Sequence, residues 1–288
     1  MLELARNISQ LDQAADLLEE VIIVNNASTE DYSGTKDFIR QTPEIPFRFI
    51  DAAENLGVAR GRNFALQQGK APFIIMLDDD AVLQNSDALI NLLEEFSKPA
   101  THRPIAIISF RVLYFDTLEM QVNAFPHKNF TNYRDKDFFL TYYYAGGAHA
   151  IRREVFDNTG TYPEDFFYGM EEYDLSYRIL DAGYSIAYSN RITMLHKESP
   201  LGRKTKKEKM AMLWINKSKV AWRYLPAIYF FTTAFLWSAE YLFKTGFDIG
   251  GWFRSWIEIM KIPASEKRTL VTRTTLRYLE EVKARLWY

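Results

Sequence analysis

Apolar residues Leu4, Ile8, Leu11, Ala15 and Leu18 recur at helical spacing, so the chain is expected to open on a helix over residues 4–18. The aliphatic run 21–24 predicts a short buried strand, and the small polar residues of 25–30 that follow it suit a turn and a helix N-cap. A helix at 35–41 stops before Pro43, a strand follows at 47–50, and a helix at 57–68 is closed by Gly69. Residues 73–77, Phe-Ile-Ile-Met-Leu, are apolar at every position, which predicts a strand covered on both faces. This β-α-β-α-β succession with short connections is the sequence form of an α/β, doubly wound, mostly parallel sheet. The preference for right-handed crossovers fixes most of its topology.

A helix is expected at 85–96 and a strand at 105–114, followed by an irregular aromatic stretch at 125–144. Then come a strand at 148–151, a short helix at 153–158, a longer helix at 171–182 closed by Gly183, and strands at 185–188 and 192–195. From Arg203 onward the pattern is helical only and starts with a basic run, Arg203, Lys204, Lys206, Lys207 and Lys209. A boundary near Pro200 divides an α/β domain, 1–200, from a helical C-terminal appendage, 201–288.

The balance of 35 basic and 37 acidic residues argues against a dedicated nucleic-acid binder. Cysteine is absent, so disulfides and thiolate metal sites play no part. The first residues, Met1-Leu2-Glu3-Leu4-Ala5-Arg6, lack the basic-then-apolar pattern of a secretory signal, and a cytoplasmic location is expected.

Chemistry concentrates at the end of strand 73–77, where Asp78, Asp79 and Asp80 begin as the apolar run stops. Ligands of open α/β sheets bind at this edge, and clustered carboxylates there repel unless a cation lies between them. An Asp-x-Asp pair suits Mg²⁺ or Mn²⁺ shared with substrate phosphates. An exposed acidic turn capping the next helix is the other reading. Asn55 to Asn63 places small residues, with Arg60 and Arg62, at a helix start where phosphate charge could be received; a capped surface helix would look the same. Gly146-Gly147 permits either close approach of a ligand to backbone or a plain turn.

Glu171 and Glu172 stand at a helix N-terminus behind the aromatic run Phe166-Phe167-Tyr168, with Asp174 and Arg178 on the face of Glu171. Acids there gain from the helix dipole, and a partly desolvated wall would also raise a carboxyl toward a useful general base. His196, just past a strand, is either structural or a third metal ligand.

In this order and spacing, the motifs resemble the large second family of inverting glycosyltransferases, with the GT-A nucleotide-sugar fold, from about Val21 to His196. Residues 24–30 look like that family's Val-Asp-Asn-x-Ser-x-Asp, with Asn25 at the acid's place and Glu30 at the later Asp. Residues 55–63 look like Asn-x-Gly-x-(Ala)-x-x-x-Asn, 78–80 like Asp-x-Asp, and 171–178 like Glu-Asp-x-Asp-Leu-x-x-Arg. The resemblance implies that Asp78, Asp80 and His196 hold the metal, with Asp78 and Asp79 on the nucleotide side. It implies that Glu172, with Glu171 as rival and Asp174 beside them, carries the base function. Asn25, Asn26, Ser28, Asn55, Gly57, Arg60 and Asn63 would line the nucleotide, and Gly146 and Gly147 the sugar pocket. The family's first strand, with its Thr/Pro-x-x-Asn turn, precedes the helix on which this chain begins, so a central strand is expected to be missing.

Residues 225–243 are long enough to span a bilayer, which needs roughly 20 apolar residues, but Thr232, Thr233, Ser238 and Glu240 interrupt them. The basic run upstream and the Trp-rich stretch 252–256 favour a helix lying on an anionic leaflet over packing or spanning. The resulting expectation is a metal-dependent inverting glycosyltransferase at the inner face of the cytoplasmic membrane. It would use a nucleoside-diphosphate sugar donor and a glycan or lipid-linked acceptor in surface polysaccharide synthesis. A catalytically impaired scaffold for a membrane-bound partner is the alternative. A nucleotidyltransferase would also use strand-end aspartates, but the Gly-rich basic loop it needs after its first strand is not seen.

Overall fold

The computed structural model describes residues 1–98, 103–197 and 205–287; the expected boundary near Pro200 and the first two residues of the basic run, Arg203 and Lys204, lie outside the described residues. Among the described residues eight strands form, β1 (Val21–Asn25), β2 (Phe47–Asp51), β3 (Phe73–Leu77), β4 (Ala81–Leu83), β5 (Ile105–Tyr114), β6 (Phe138–Thr141), β7 (Ala148–Arg152) and β8 (Ser185–His196). Helices α1 (Leu2–Ser9) and α2 (Ala14–Leu17) open the chain, and α3 (Ser33–Gln41), α4 (Gly57–Gln68), α5 (Ala88–Ser97), α6 (Phe130–Tyr133), α7 (Val155–Thr159) and α8 (Glu171–Asp181) lie between strands. Helices α9 (Lys206–Tyr224), α10 (Ala227–Thr245), α11 (Ile249–Ser265) and α12 (Arg273–Glu281) form the appendage.

The larger sheet runs β3-β7-β5-β8-β4, with β6 also paired to β8. Strands β5 and β8 are parallel, and β7, antiparallel to both β3 and β5, sets β3 in the same direction as those two. Strands β3, β5 and β8 therefore share one direction, and β4, β6 and β7 are the reversed members. Successive residues of β5 feed opposite faces. Ile107 packs with Ile151, Ile186, Leu175 and Ile179 against α8, whereas Ile108 packs with Phe110, Leu89 and Leu92 against α5. Such two-sided burial is what a sheet flanked by helices requires.

Three departures from the sequence pattern have local causes. The opening helix breaks after Ser9, because Gln13 takes a left-handed backbone, φ 58°, that a helix cannot continue through. The two strands expected at 185–195 are one strand, β8, whose register against β5 shifts between Phe110 and Arg111 at a bulge. Short strands β4 and β6 are stabilised by pairing with β8, a long-range partner that no local pattern announces.

The fourth departure concerns the sheet's middle. Strands β1 and β2 pair in parallel as a separate sheet, and among the described residues no ladder joins β1 to β3. Their starting ends are held together instead: Glu20 Oε1 accepts from the Ala71 amide at 3.0 Å and also from the Lys70 amide. Every residue of β1 and of β3 is accordingly half-buried, where full burial was expected.

The appendage packs on the α/β part through α9 and α12. Asn216 donates to the Tyr168 and Gly169 carbonyls at 3.1 and 3.0 Å, and the Tyr278 hydroxyl donates to Thr141 O at 3.0 Å. Trp214 of α9 is fully buried and donates to Ala234 O at 3.0 Å, which seats α10. Trp252 and Trp256 turn inward onto this cluster, with Trp252 donating to Ser238 Oγ at 2.8 Å, so the Trp-rich stretch is not the outward face of the tail. No helix among the described residues is long and apolar enough to cross a membrane.

Candidate active site

The chain turns sharply after β3. Asp78 N donates to Gly147 O at 3.3 Å, Ala81 N closes back onto Asp78 O at 3.1 Å, and β4 starts by pairing Ala81 with His196 at the end of β8. That pairing brings Asp80 Oδ1 to 3.2 Å from His196 Nε2. With Asp78, these groups offer two carboxylate oxygens and an imidazole nitrogen within 4.8 Å of one another. Gln121 Oε1 lies 3.0 Å from His196 Nδ1, an orienting contact that turns Nε2 toward the two aspartates. Two hard oxygens and one imidazole fit Mn²⁺ or Mg²⁺, with further positions open to phosphate oxygens. Withdrawal from bulk water raises the Asp78 carboxyl above its usual range; Arg62 opposes this and Asp80 adds to it, though the group still reaches solvent at the cleft mouth. Asp79 lies outside this cluster, exposed, with its carbonyl accepting from the Met1 ammonium at 2.9 Å.

Across the cleft, Gly169 and Met170 both adopt left-handed backbone, φ 78° and 72°, to start α8. A Cβ at Gly169 would strike the Leu213 side chain of α9. The first turn of α8 presents Glu171 and Glu172 to one guanidinium: Arg62 Nη1 donates to Glu171 Oε1 at 3.1 Å and to Glu172 Oε1 at 2.9 Å. Burial, reinforced by Glu172 and opposed by Arg62, pushes the Glu171 carboxyl up to about 8. Glu171 is 3% exposed and Glu172 16%, so Glu172 is the one of the pair that a substrate can reach.

The glycine pair joins the two halves. A Cβ on Gly146 would collide with Glu172 Oε1 and Arg62 Nη2, and one on Gly147 with Asp78. Adjacent Cα atoms are about 3.8 Å apart, so the base-side and metal-side carboxylates face each other across one dipeptide. Beneath it, the buried His149 donates from Nδ1 to Ala145 O at 3.0 Å, and its Nε2 accepts from the Tyr162 hydroxyl at 3.0 Å. Burial and the Arg62 charge push His149 down to about 3, so it stays neutral, and the Arg62 guanidinium lies 5.4 Å over the Tyr162 ring.

The expected nucleotide side separates into groups. Asn26 Oδ1 accepts from Leu56 N at 2.9 Å while its amide donates to Gly57 O at 3.1 Å, tying the end of β1 to the start of α4. Asn55 Oδ1 accepts from Gly57 N at 2.9 Å, and Gly57, φ 72°, leaves room for Phe167 O where a Cβ would not. Asn25 Oδ1 accepts from Ser28 N at 2.8 Å and its amide donates to Asp51 at 2.9 Å, which makes it a turn residue. Arg60 points outward and pairs with Glu54 at 2.9 Å. Buried Asn63 exchanges two bonds with the Tyr162 backbone, 2.9 and 3.0 Å, so it positions the Tyr162 segment. Asp174 parts from the two glutamates: Oδ1 accepts from Arg178 at 2.8 Å, and Oδ2 from Arg223 at 2.9 Å and the Tyr224 hydroxyl at 3.0 Å. A carboxylate so saturated ties α8 to α9 and cannot serve as a base.

The sequence model of glycosyl transferase family 2 matches residues 3–160, more than half of the chain. The chain belongs to that family. As a family 2 glycosyltransferase it is 26% identical over 186 residues to an O-antigen chain rhamnosyltransferase of Salmonella anatum, covering 62% of this chain and 56% of that one. Among solved structures it is similar to the mannosyltransferase PcManGT from Pyrobaculum calidifontis in complex with GDP-Man and Mn²⁺, at TM-score 0.58 and 17% identity over 99% of this chain and 76% of that one. It is also similar to S. aureus TarS in complex with UDP-GlcNAc, at TM-score 0.60 and 14% identity over 95% and 78%. These two likenesses establish the GT-A fold. Glu171, Glu172 and His196 lie beyond the matched segment, so in this glycosyltransferase their grouping rests on the geometry above.

Sequence reading missed Arg62, the residue that organises the site. Its position two residues beyond Arg60 gave no ground for preferring it, because only the packing of α4 decides which of the two faces the cleft. The neutral His149 and its partner Tyr162 were also missed, although a His inside an otherwise apolar strand was a legible sign of a buried polar pair.

Proposed function

We propose that this glycosyltransferase is a metal-dependent, inverting enzyme that moves a sugar from a nucleoside-diphosphate sugar to a hydroxyl of a glycan or lipid-linked acceptor. The observation that carries the reading is the pair of opposed carboxylate groups across Gly146-Gly147, one shared with Arg62 and the other with His196. Asp78, Asp80 and His196 would hold Mg²⁺ or Mn²⁺, which when bound neutralises charge on the departing diphosphate. The Glu172 carboxylate takes the proton of the acceptor hydroxyl as that oxygen bonds to the anomeric carbon. The anomeric carbon–diphosphate oxygen bond breaks with its electron pair on the nucleoside diphosphate, so one displacement inverts the centre. Arg62 orients Glu172, and the proton expected on Glu171 leaves that guanidinium chiefly to Glu172.

A role in surface polysaccharide synthesis at the inner face of the cytoplasmic membrane is supported by the O-antigen relative and by the apolar tail helices. The unpaired edges of β1 and β3 favour a second reading, a scaffold with impaired donor binding. Turnover of UDP- and dTDP-sugars with Mn²⁺ separates the two. Glu172→Gln is expected to lower kcat by about a hundredfold or more with little change in donor affinity. If Glu171→Gln alone gave that pattern, the glutamates' roles would be exchanged; donor binding absent in the unaltered protein would favour the scaffold.

A further inference from the structure

Helix α10 is apolar on two opposite faces. Its inner face, with Phe230, Ala234 and Tyr241, is covered by Trp214 of α9. Its outer face carries Ile228, Phe231, Phe235 and Phe243 at 53%, 61%, 70% and 73% exposure, and the charged side chain between them, Glu240, is 29% exposed and paired with Lys244. From Ile228 to Phe243 this stripe runs about 23 Å along α10. Helix α11 continues it with Ile249, Phe253, Ile257 and Met260, spaced by four, four and three, all half or more exposed. A helix apolar all round needs cover on every side, and a contiguous exposed patch of this size marks an interaction surface.

The margins of the patch indicate what covers it. Along α11 the stripe is bordered by Arg254, Glu258 and Lys261, all exposed. At the α10–α11 corner Lys207 of α9, at 3.9 Å, and Arg254 both act on Asp248, while Lys244 pairs with Glu240 at 2.6 Å and Lys261 with Glu258 at 2.7 Å, so the margins carry four cations, Lys207, Lys244, Arg254 and Lys261, against the three carboxylates Glu240, Asp248 and Glu258. Large aromatic and aliphatic side chains on one broad surface with a cationic fringe suit the headgroup–acyl boundary of an anionic bilayer. Neither helix is long and apolar enough to cross, so both would lie in the plane of the leaflet. We propose that the outer face of α10 and α11 seats the protein on an anionic lipid bilayer, with Phe231, Phe235, Phe253 and Ile257 entering the acyl region.

This deepens the membrane placement proposed above without resting on the transfer chemistry. Helix α9 couples the seat to the site, because it packs under α10 while Asn216 and Leu213 grip the Tyr168–Gly169 turn that starts α8. Co-flotation of the full chain with vesicles of phosphatidylcholine alone, or with about one-third phosphatidylglycerol, reads binding independently of turnover. The protein should float with the anionic vesicles and more weakly with the neutral ones. Phe231→Ser and Phe253→Ser, both exposed and so compatible with the fold, should each lower partitioning by roughly tenfold. Circular dichroism of the variants should match the unaltered protein. Failure to float with anionic vesicles, or unchanged flotation of both variants, would overturn the proposal. So would a dimer in sedimentation velocity that the same substitutions dissolve, since a second copy would then cover the face. Flotation without turnover in the unaltered protein would leave the seat standing and count against the transferase reading alone.

Discussion

Replacing Arg62 by Met tests whether one guanidinium holds the catalytic carboxylates together. Arg62 is 13% exposed, Glu171 3% and Glu172 16%, so the substitution leaves two carboxyl groups in a largely water-free pocket with no cation between them. Breaking a buried ion pair by deleting one partner costs about 3–5 kcal/mol. The lower end, about 3 kcal/mol, applies here because Glu171 can avoid the penalty by keeping its proton. That escape makes the cost depend on pH. Glu171 already titrates near 8, against an ordinary value of 4.5, and removing the opposing Arg62 charge moves it further up.

A carboxyl whose folded value lies above its unfolded one binds more protons in the folded state. Its contribution to stability is therefore lost as pH rises from about 4.5 through the folded value. Urea unfolding followed by circular dichroism at pH 7 and pH 9.5 should show Arg62→Met destabilised by about 3 kcal/mol at pH 7, where Glu171 holds its proton in both proteins and the lost contact is that of Arg62 with Glu172. Above pH 8 the unaltered protein releases the Glu171 proton beside Arg62 and the variant retains it, so at pH 9.5 the deficit should be larger by roughly 1–2 kcal/mol. Adding Glu171→Gln should abolish this rise, since an amide has no proton to release. An equal deficit at both pH values, or a rise that persists in the double variant, would refute this account of the pair.

Asp80→Ala should abolish Mn²⁺-dependent binding of a nucleoside-diphosphate sugar in calorimetric titration while leaving the unfolding midpoint without ligand nearly unchanged; retained metal-dependent binding would remove Asp80 from the site. Gly147→Ala places a methyl group against Asp78 and should weaken the same binding at least tenfold, whereas near-native affinity would show that Asp78 can move aside. Lys217, half-buried with its ammonium 4.4 Å over Tyr173, is pushed down to about 8 by burial and by Arg285. Its folded value lies below the unfolded 10.5, so it makes stability rise with pH between about 8 and 10.5, and Lys217→Met should flatten that rise in chemical unfolding; an unchanged slope would count against it.

Strands β1, β2, β3 and β5 and helices α4 and α8 were legible because each carries its own punctuation: an apolar run that ends in polar residues, or a helical face closed by Gly69 or Gly183. The Asp80–His196 proximity was legible only in part. Both residues follow apolar strands, and strand ends of one direction gather at one edge of a sheet, but the 3.2 Å contact depends on β4 pairing with β8. Asp174 illustrates the opposite outcome: its helical spacing from Glu171 suggested a shared face, yet Arg178, Arg223 and Tyr224 claim its oxygens from α8 and α9.

Local order in the chain determined element type and the strand-end placement of Asp78, Asp80 and His196, because hydrophobic periodicity and turn chemistry act over a few residues. The tertiary structure decided what depends on partners far along the chain. Residues about 110 apart bring Arg62 to the two glutamates, and a neighbour's carboxylate is the reason that positions 146 and 147 have no room for a side chain. It also turned Trp252 and Trp256 inward and Phe253 and Ile257 outward, a choice periodicity alone leaves open because both faces of that helix are apolar. Packing selects which apolar face is covered, and the face left over becomes a surface.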